Sequence, residues 1–358
     1  MSGPVITAVT HRPWNLPLRQ PFVTARGHKT LSRNLLVTVT LSDGPRRQTH
    51  GHGEASASLA WPDDSQPAMA RCLTRVGPEL IGLPVTAAWR RLHDAWNTAD
   101  ARPAALGAVE CALATAEAKA AGVPLWRQLA RQVAGVQGRR RSVTTMLTIS
   151  AWPVPVAERA TREAARRGFR RLKVKVTGTA PEDDLARLVA VHRAAPHAAL
   201  LVDANQGFTA QGALAFARAM QRIRLPVILF EQPVSRDDLD GMARVARESG
   251  LRVAADESVC RPADARRLIR RRAAHIFNLK LAKSGLLGAR EIIRLARRAR
   301  VGLMLGCMAE SAIGLAPSVH LACGSGLFRY VDLDSHLLVA GPRTPAFRTD
   351  GPRLSVAG

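Results

Sequence analysis

The chain has 358 residues, of which 47% are hydrophobic, and a formal net charge of +24. It is long enough for two domains and apolar enough for a large buried core. No stretch approaches the roughly 18 apolar residues of a membrane span, and the polar N-terminus lacks the apolar region of a secretory signal. We therefore expect a cytoplasmic protein without a membrane partner.

The basic charge raises the alternative of a nucleic-acid-binding protein. Arginine clusters at 166–171 and 266–272 have the charge to contact phosphates. Such clusters recur at helical spacing on several different helices, however, which scatters them instead of forming one groove. Aromatic residues are only 4% of the chain, with a single Tyr, so platforms for base stacking are poor. We expect no specific nucleic-acid partner and keep this function as a minor alternative.

The first part of the chain predicts an α+β domain. Strand patterns at 6–11 and 35–41 are followed by helical patterns. We place this capping domain at 1–120 and a (β/α) barrel domain at 121–330. Residues 331–358 are expected to form the last barrel strand and a Pro- and Gly-rich return to the cap.

The barrel is predicted from a repeated strand-helix unit. Apolar runs at 199–202 and 227–230 are typical of buried parallel strands. Residues with chemistry recur at intervals of 24 to 30 residues, about one such unit: Lys173, Asp203, Glu231, Asp256, Lys280, Cys307 and Asp332. Amphipathic helical stretches fill the gaps at 181–195, 211–223, 261–272 and 288–300. Seven or eight such units predict a parallel barrel, whose catalytic face lies at the C-terminal strand ends.

Lysine is rare in this chain, with six lysines among 52 basic residues. Four of the six lie in two apolar segments, Lys173 and Lys175 in the first, Lys280 and Lys283 in the second. Arginine stays protonated, whereas a lysine that is buried or beside another cation can lose its proton. This placement indicates proton transfer, against the alternative of chance and a packed lysine stem.

Three acids follow apolar runs between the two lysine segments, namely Asp203, Glu231 and Asp256. Oxygen ligands without His or Cys favour Mg²⁺ over Zn²⁺. A metal-bound substrate carboxylate makes its α-hydrogen removable, because the metal stabilises the enediolate that forms. Repulsion from Lys173 is expected to lower the pKa of its neighbour Lys175.

The motif order KxK, DxN, EQP, DES and KxxKSG resembles the muconate-lactonizing-enzyme branch of the enolase superfamily over essentially the whole chain. The segments at 51–57 and 117–126 are similar to parts of that family's cap and cap-to-barrel connection. The resemblance implies a modified (β/α)7β TIM-type barrel with an N-terminal α+β cap. It also implies that Asp203, Glu231 and Asp256 bind Mg²⁺ and that Lys175 and Lys280 form the acid/base pair. Lys173 is then expected to tune Lys175 through the charge repulsion described above.

Within the branch, Asp332 and Asp334 resemble the acid pair with which dipeptide epimerases hold a substrate ammonium. The flap at 22–30 also resembles that of L-Ala-D/L-Glu epimerases. The resemblance implies Mg²⁺-dependent epimerisation of a dipeptide, L-Ala-L-Glu to L-Ala-D-Glu, by two-base proton transfer. Further substrate contacts are expected from four residues, Arg26 with Lys29 on the flap, and Met308 and Glu310 near the seventh barrel strand.

Several alternatives stay open at this stage. An o-succinylbenzoate synthase, a muconate cycloisomerase-like lyase or an N-acylamino acid racemase would use the same metal and lysines, but their substrates lack an ammonium. Either acid of the pair has the bland alternative of capping a helix or pairing with an arginine, and Arg26 that of a surface residue. The chain departs from the family at Thr115, expected to be structural, and at Leu286, expected to alter the pocket shape.

The remaining reactive side chains receive no catalytic role. The five cysteines show no CxxC spacing and are odd in number, so at least one thiol is free, which fits the cytoplasm. Cys307 is expected to line the pocket as a small hydrophobic residue and not as a nucleophile. The histidines show no metal-ligand spacing. A homo-oligomer is also expected.

Overall fold

The structure is a computed structural model that describes residues 3–44, 47–138 and 140–357. Its N-terminal part is a three-stranded antiparallel sheet covered by helices. The strands are β1 (Val5–Thr24), β2 (Gly27–Ser42) and β3 (Gln48–Ala55). The helices are α1 (Gln66–Leu80), α2 (Val85–Ala95) and α3 (Pro103–Ala120). The predicted strands at 6–11 and 35–41 lie within β1 and β2, and their apolar side chains pack against these helices.

Helix α4 (Leu125–Gln132) and the short strand β4 (Ser142–Thr144) lead into a sheet of eight parallel strands. The strands are β5 (Leu147–Ile149), β6 (Arg171–Lys175), β7 (Ala199–Asp203), β8 (Val227–Glu231), β9 (Val253–Ala255), β10 (Ile276–Leu279), β11 (Gly302–Gly306) and β12 (Tyr330–Asp332). The helices between them are α5 (Val154–Arg166), α6 (Pro181–Ala194), α7 (Ala210–Arg222), α8 (Leu239–Glu248), α9 (Pro262–Arg271), α10 (Leu281–Arg298) and α11 (Ala312–Ser325). Strand order follows chain order, which confirms the predicted (β/α)7β barrel with an α+β cap.

The two edge strands of this sheet, β5 and β12, meet at a seam that nearly closes the barrel. The Met146 N–H donates to the Val331 carbonyl at 2.9 Å, and the Thr148 N–H donates to the Asp334 carboxylate at 2.6 Å. The seam is thus held partly by a side chain in place of a regular strand ladder.

After β12 comes the short helix α12 (Ser335–Leu338), then a hairpin of β13 (Arg348–Asp350) and β14 (Arg353–Ser355). Residues near Val339 touch the cap, where Ala340 N–H donates to the Pro17 carbonyl at 2.7 Å. The hairpin itself pairs with β4 beside the barrel. The C-terminal segment therefore contacts the cap only in passing and ends against the barrel; the domain limits stay a prediction.

Two buried glutamates of the cap fix it to the barrel. Glu54 accepts the backbone N–H of Ser311 at 3.0 Å at the start of α11. Glu110 accepts the N–H groups of Leu286 and Leu287, where α10 is kinked at Gly285. Carboxylates suit helix N-termini because free N–H groups and the helix dipole favour negative charge there. This kink also explains why α10 begins before the predicted helix at 288–300.

The two departures from the family pattern have structural roles. The Thr115 hydroxyl donates to the Cys111 carbonyl at 2.7 Å within α3, as expected for a structural residue. Leu286 packs in the barrel core and is not among the described residues that line the central pocket. Leu286 thus does not contact the pocket directly, and its expected effect on the pocket shape stays a prediction.

The inward-facing residues of the barrel strands form two layers, an apolar one and, at the C-terminal mouth, a mainly polar and charged one. One set of inward side chains fills the barrel interior: Leu201, Leu229, Ala254, Ile276, Met304 and Tyr330. Because every second residue of a strand points to the same face, the residues two positions later point inward at the C-terminal mouth. They are Asp203, Glu231, Asp256, Asn278, Gly306 and Asp332. The apolar layer is the floor of the site.

Among the described residues, no helix combines the length and the apolar character that crossing a membrane requires.

Candidate active site

The predicted acids converge at the C-terminal mouth of the barrel. Asp203 and Glu231 end neighbouring strands and are paired in register, and Asp256 directly follows β9. All three side chains are at most 1% exposed. Such burial is costly for a carboxylate unless cations or hydrogen-bond donors compensate it.

Lys173 lies in the middle of these acids. Its Nζ is 2.9 Å from Asp203 Oδ2, 3.0 Å from Glu231 Oε2 and 2.8 Å from Asp332 Oδ2. Burial works to lower the pKa of Lys173, but the attraction of these carboxylates outweighs it and holds the pKa well above its usual value. The carboxylates that face Lys173 come from distant strands, and they outweigh any repulsion between the two neighbouring lysines.

Lys175 and Lys280 lie on opposite sides of the barrel. In the order of eight strands, three strands separate β6, which carries Lys175, from β10, which precedes Lys280, in either direction. Lys175 Nζ donates to Asp203 at 2.6 Å, and Lys280 Nζ donates to Asp256 at 2.7 Å. Both lysines line one pocket. Burial works to lower the pKa of Lys280, but Asp256 outweighs it and raises the pKa above its usual value.

The donor set suits a hard divalent cation. Lysine ammonium groups lie between the acids. In the described part of the chain, no three His, Cys, Asp or Glu side chains are therefore close enough together to hold a metal ion as they stand. Glu231 Oε2 nevertheless receives no aligned hydrogen bond, and burial together with Asp203 raises the pKa of Glu231 to about 7. The buried cluster contains six acids and four lysines. The acids are Asp203, Glu231, Asp256, Glu257, Asp332 and Asp334, and the lysines are Lys173, Lys175, Lys280 and Lys283. If all ten groups are counted as ionised, the cluster has a formal charge of −2, and one divalent cation would neutralise it.

Asp332 and Asp334 both line the same pocket. Asp332 Oδ2 contacts the ammonium of Lys173. The other oxygen, Oδ1, is buried and receives no hydrogen bond from the described residues. Burial and the charge of Asp332 raise the pKa of Asp334 to about 7. Among the described residues, no arginine pairs with either acid, and Asp334 precedes α12 without a capping side-chain bond. Lys173 thus neutralises one oxygen of the pair, while Asp332 Oδ1 is free to accept a hydrogen bond from a ligand.

The pocket above these residues has a volume of about 100 Å³. Its cover is the β1–β2 hairpin, whose turn includes Gly27 at a φ of +117°, a value that favours glycine. The hairpin is anchored to the loop after β5, because the Val23 N–H donates to Ser150 Oγ at 2.6 Å and the Trp152 indole donates to the Pro21 carbonyl at 2.6 Å. The flap is thus closed over the pocket.

The remaining predicted residues divide between the pocket and its surroundings. Arg26, exposed at the flap turn, Met308 and Cys307 line the pocket. Burial, with help from nearby acids, raises the pKa of Cys307 well above its usual value, which suits a hydrophobic residue better than a nucleophile. Glu310 is buried but is not among the described lining residues. Burial and Glu54 raise its pKa to about 8.

The lining residues that received no role from the sequence include two polar and two aromatic side chains. Asn205 accepts a bond from Lys175 at 2.9 Å and donates to Glu257 at 3.1 Å. Asn205 belongs to the DxN motif and Glu257 to the DES motif, so the sequence did contain the information needed to predict them. The Phe22 ring centroid is 5.7 Å from Lys175 Nζ, and the Trp61 centroid is 5.8 Å from Lys283 Nζ. These aromatic contacts bring together distant segments and have no local sequence signal.

Both parts of the chain match known protein families. Residues 6–129 match the model of the mandelate racemase/muconate lactonizing enzyme N-terminal domain, and residues 155–354 match the enolase C-terminal domain-like model.

The proteins that are similar to this chain include three epimerases. An aromatic dipeptide epimerase from Herpetosiphon aurantiacus is 36% identical, over 98% of this chain and 96% of the relative. An L-Ala-D/L-Glu epimerase from Thermotoga maritima is 32% identical, over 94% of both chains. The crystal structure of a dipeptide epimerase from Methylococcus capsulatus, complexed with Mg and the dipeptide L-Arg-D-Lys, has a TM-score of 0.87 and 32% identity, covering 99% of this chain and 97% of the other.

Proposed function

The chain belongs to the mandelate racemase/muconate lactonizing enzyme family of the enolase superfamily, and on that basis we propose that it is an Mg²⁺-dependent dipeptide epimerase. The observation that carries the proposal is the placement of Lys175 and Lys280 on opposite sides of one pocket, with the buried pair Asp332 and Asp334 at its edge. Two bases on opposite faces invert a carbon centre, and the acid pair requires a cationic ligand group.

Asp203, Glu231 and Asp256 would hold the metal. Their hard oxygens, their full burial and the buried Glu231 Oε2 without an aligned hydrogen bond support this role. When bound, Mg²⁺ supplies positive charge that stabilises the negative charge developing on the substrate carboxylate as the α-proton leaves.

Lys175 and Lys280 then carry out a 1,1-proton transfer. One lysine, as the neutral amine, accepts the α-proton of the C-terminal residue, which leaves the substrate as an enediolate. The other lysine, as the ammonium, donates a proton to the opposite face of the same carbon, so that the configuration inverts and the proton count is restored. Lys173, held by Glu231 and Asp332, keeps its positive charge and acts as the tuning residue.

Asp332 and Asp334 are proposed to bind the free α-ammonium of the dipeptide. The unpartnered Oδ1 of Asp332 and the raised pKa of Asp334 support this, because an ammonium would satisfy both. The lyases and the N-acylamino acid racemase use substrates without this cation, and the acid pair would repel a dianion. The pair therefore favours a dipeptide over the alternatives.

We expect the enzyme to require that free amine. Acetylating the N-terminus of L-Ala-L-Glu removes the charge and should lower kcat/KM at least about a hundredfold, since a buried charge pair is left unmatched. The measurement is epimerisation followed by chiral chromatography, with the free and acetylated dipeptides in parallel. Faster turnover of the acetylated form would instead identify an N-acylamino acid racemase.

An acidic side chain is proposed for the C-terminal residue of the dipeptide, because Arg26 lines the pocket from the flap. A guanidinium binds a carboxylate through two parallel bonds. The apolar wall formed by Phe22, Leu59 and Trp61 favours a second candidate, an apolar or aromatic side chain.

Arg26→Ala decides between these side chains. If the acidic side chain is right, the wild type prefers L-Ala-L-Glu over L-Ala-L-Leu by about tenfold or more, the size of a charge-assisted bond, and the variant loses most of that preference. The kcat/KM values of L-Ala-L-Glu, L-Ala-L-Leu, L-Ala-L-Phe and L-Ala-L-Lys give the answer. A flat profile in both proteins, or a preference for Lys or Phe, would overturn the acidic specificity while leaving the epimerase in place.

The cellular setting is proposed as well. The five cysteines, Cys72, Cys111, Cys260, Cys307 and Cys323, are free thiols, which is typical of a reducing compartment such as the cytoplasm. A homo-oligomer without a specific nucleic-acid or membrane partner stays a prediction, to be checked by sedimentation and by elution from heparin.

A further inference from the structure

A second cavity adjoins the catalytic pocket at the seam of the barrel. It has a volume of about 530 Å³ and lies between the cap strand β1, the barrel strand β5 and the helices α5 and α12. We call it the seam groove. Four residues line both cavities, so the two cavities adjoin each other there: Leu18, Phe22, Thr148 and Leu338.

The catalytic pocket alone is small for a dipeptide. Its volume of about 100 Å³ lies below the roughly 300 Å³ at which ligand pockets usually begin. The seam groove, at about 530 Å³, brings the combined space into the usual range. Part of the substrate therefore has to extend beyond the residues that perform the chemistry.

The contact between the two cavities lies beside the proposed ammonium site. Thr148 lines both cavities, and its backbone N–H donates to Asp334 Oδ2 at 2.6 Å. In a dipeptide, the ammonium and the side chain of the N-terminal residue are attached to the same carbon. An ammonium at Asp332 and Asp334 therefore places the start of that side chain next to the shared wall.

The chemistry of the groove favours an apolar group. Its floor is built from apolar side chains, some of them fully buried: Leu147, Ile149, Trp152, Val156, Ala160 and Leu337. Its rim carries four exposed arginines, Arg19, Arg159, Arg166 and Arg167, and one glutamate, Glu163. Glu163 already pairs with Arg166 at 2.9 Å. The rim is therefore positive and opposes a basic side chain.

We propose that the seam groove is the subsite for the N-terminal side chain of the dipeptide and that it selects a large apolar one. This inference rests on the proposed function, since it uses the ammonium position at Asp332 and Asp334. It assigns a role to α5, which lies outside the catalytic machinery.

The test fills the groove. Ala160→Trp places a large side chain on the α5 face that lines the cavity, and Ala160→Leu is a milder version. Arg162→Trp is the matched control, because Arg162 is exposed on the same helix and is not among the described lining residues. The substrates are L-Ala-, L-Leu-, L-Phe- and L-Lys- dipeptides that share the C-terminal residue which the wild type turns over best.

We expect the wild type to favour the Leu and Phe dipeptides over the Lys dipeptide. Ala160→Trp should lower kcat/KM for the Leu and Phe dipeptides by about tenfold or more, and for the Ala dipeptide by less than about threefold, as expected when an apolar subsite is blocked. Ala160→Leu should act in the same direction, and Arg162→Trp should change neither ratio.

Two results would overturn the inference and are separable from each other. Equal effects on all dipeptides, or Ala160 variants that behave as Arg162→Trp does, would remove the groove subsite while the epimerase stands. If no dipeptide is epimerised by the wild type, the proposed function fails and the subsite fails with it. Circular dichroism of each variant shows whether a loss reflects unfolding.

Discussion

Lys280→Ala is expected to abolish epimerisation while leaving exchange of one epimer's α-hydrogen. Lys175 and Lys280 face the pocket from opposite sides, so either lysine reaches only one face of the α-carbon. Without Lys280 the proton can still be removed and returned on the Lys175 side, which restores the starting configuration. Loss of a positioned acid/base group costs roughly 10²–10⁴-fold in rate.

Matched variants separate proton transfer from charge. Lys280→Arg retains a cation beside Asp256 but cannot supply a neutral amine, so it should be as inactive as Lys280→Ala. Lys119→Ala changes a lysine outside the site, one whose ammonium donates to the His50 carbonyl at 2.8 Å, and should keep near wild-type activity. Near wild-type epimerisation by Lys280→Ala would rule out the two-base assignment.

Removing the metal is expected to stop turnover as completely as removing a base. Treatment with EDTA should reduce epimerisation to background, and added Mg²⁺ should restore it, because the ion supplies the positive charge that stabilises the negative charge developing on the substrate carboxylate. Glu231→Gln should weaken Mg²⁺ binding by about tenfold or more, since a charged oxygen ligand becomes neutral. Glu117→Gln is the control, because Glu117 is an acid of α3 that bonds to Trp89 and is not among the described residues that line the pocket. Full activity after rigorous chelation would contradict the metal site.

The same ion should stabilise the fold in a pH-dependent way. Burial raises the pKa of Glu231 from its usual 4.5 to about 7 in the folded, metal-free protein. The folded state then binds the proton more tightly than the unfolded state, so this group makes the metal-free protein less stable as the pH rises from 4.5 to 7. Mg²⁺ binds the ionised form and should raise the melting temperature more at pH 8 than at pH 6.

Much of the site could be predicted because its residues follow local rules. Asp203, Glu231 and Asp256 each follow an apolar strand, and the strand period alone turns them inward above the packed layer. Lys173 and Lys280 could be predicted from composition. Lysine is rare in this arginine-rich chain, so lysines within apolar segments indicate a specific role.

The parts that were missed depend on contacts between distant segments. The bond from Thr148 to Asp334 joins residues 186 positions apart, and the flap anchor between Val23 and Ser150 joins residues 127 apart. Such pairs are created by barrel closure and by docking of the cap. The core position of Leu286 depends on such a contact as well, since its backbone N–H donates to Glu110 of the cap.

The most direct test of the central claim is deuterium incorporation at the α-carbon of the C-terminal residue. The wild type is incubated with Mg²⁺ and an L,L-dipeptide in D₂O, and the two diastereomers are separated and weighed by mass spectrometry. A two-base epimerase should produce the L,D-dipeptide with one deuterium in every product molecule, and this should require both Lys175 and Lys280. Product without deuterium, or deuterium exchange without any change of configuration in the wild type, would contradict the account.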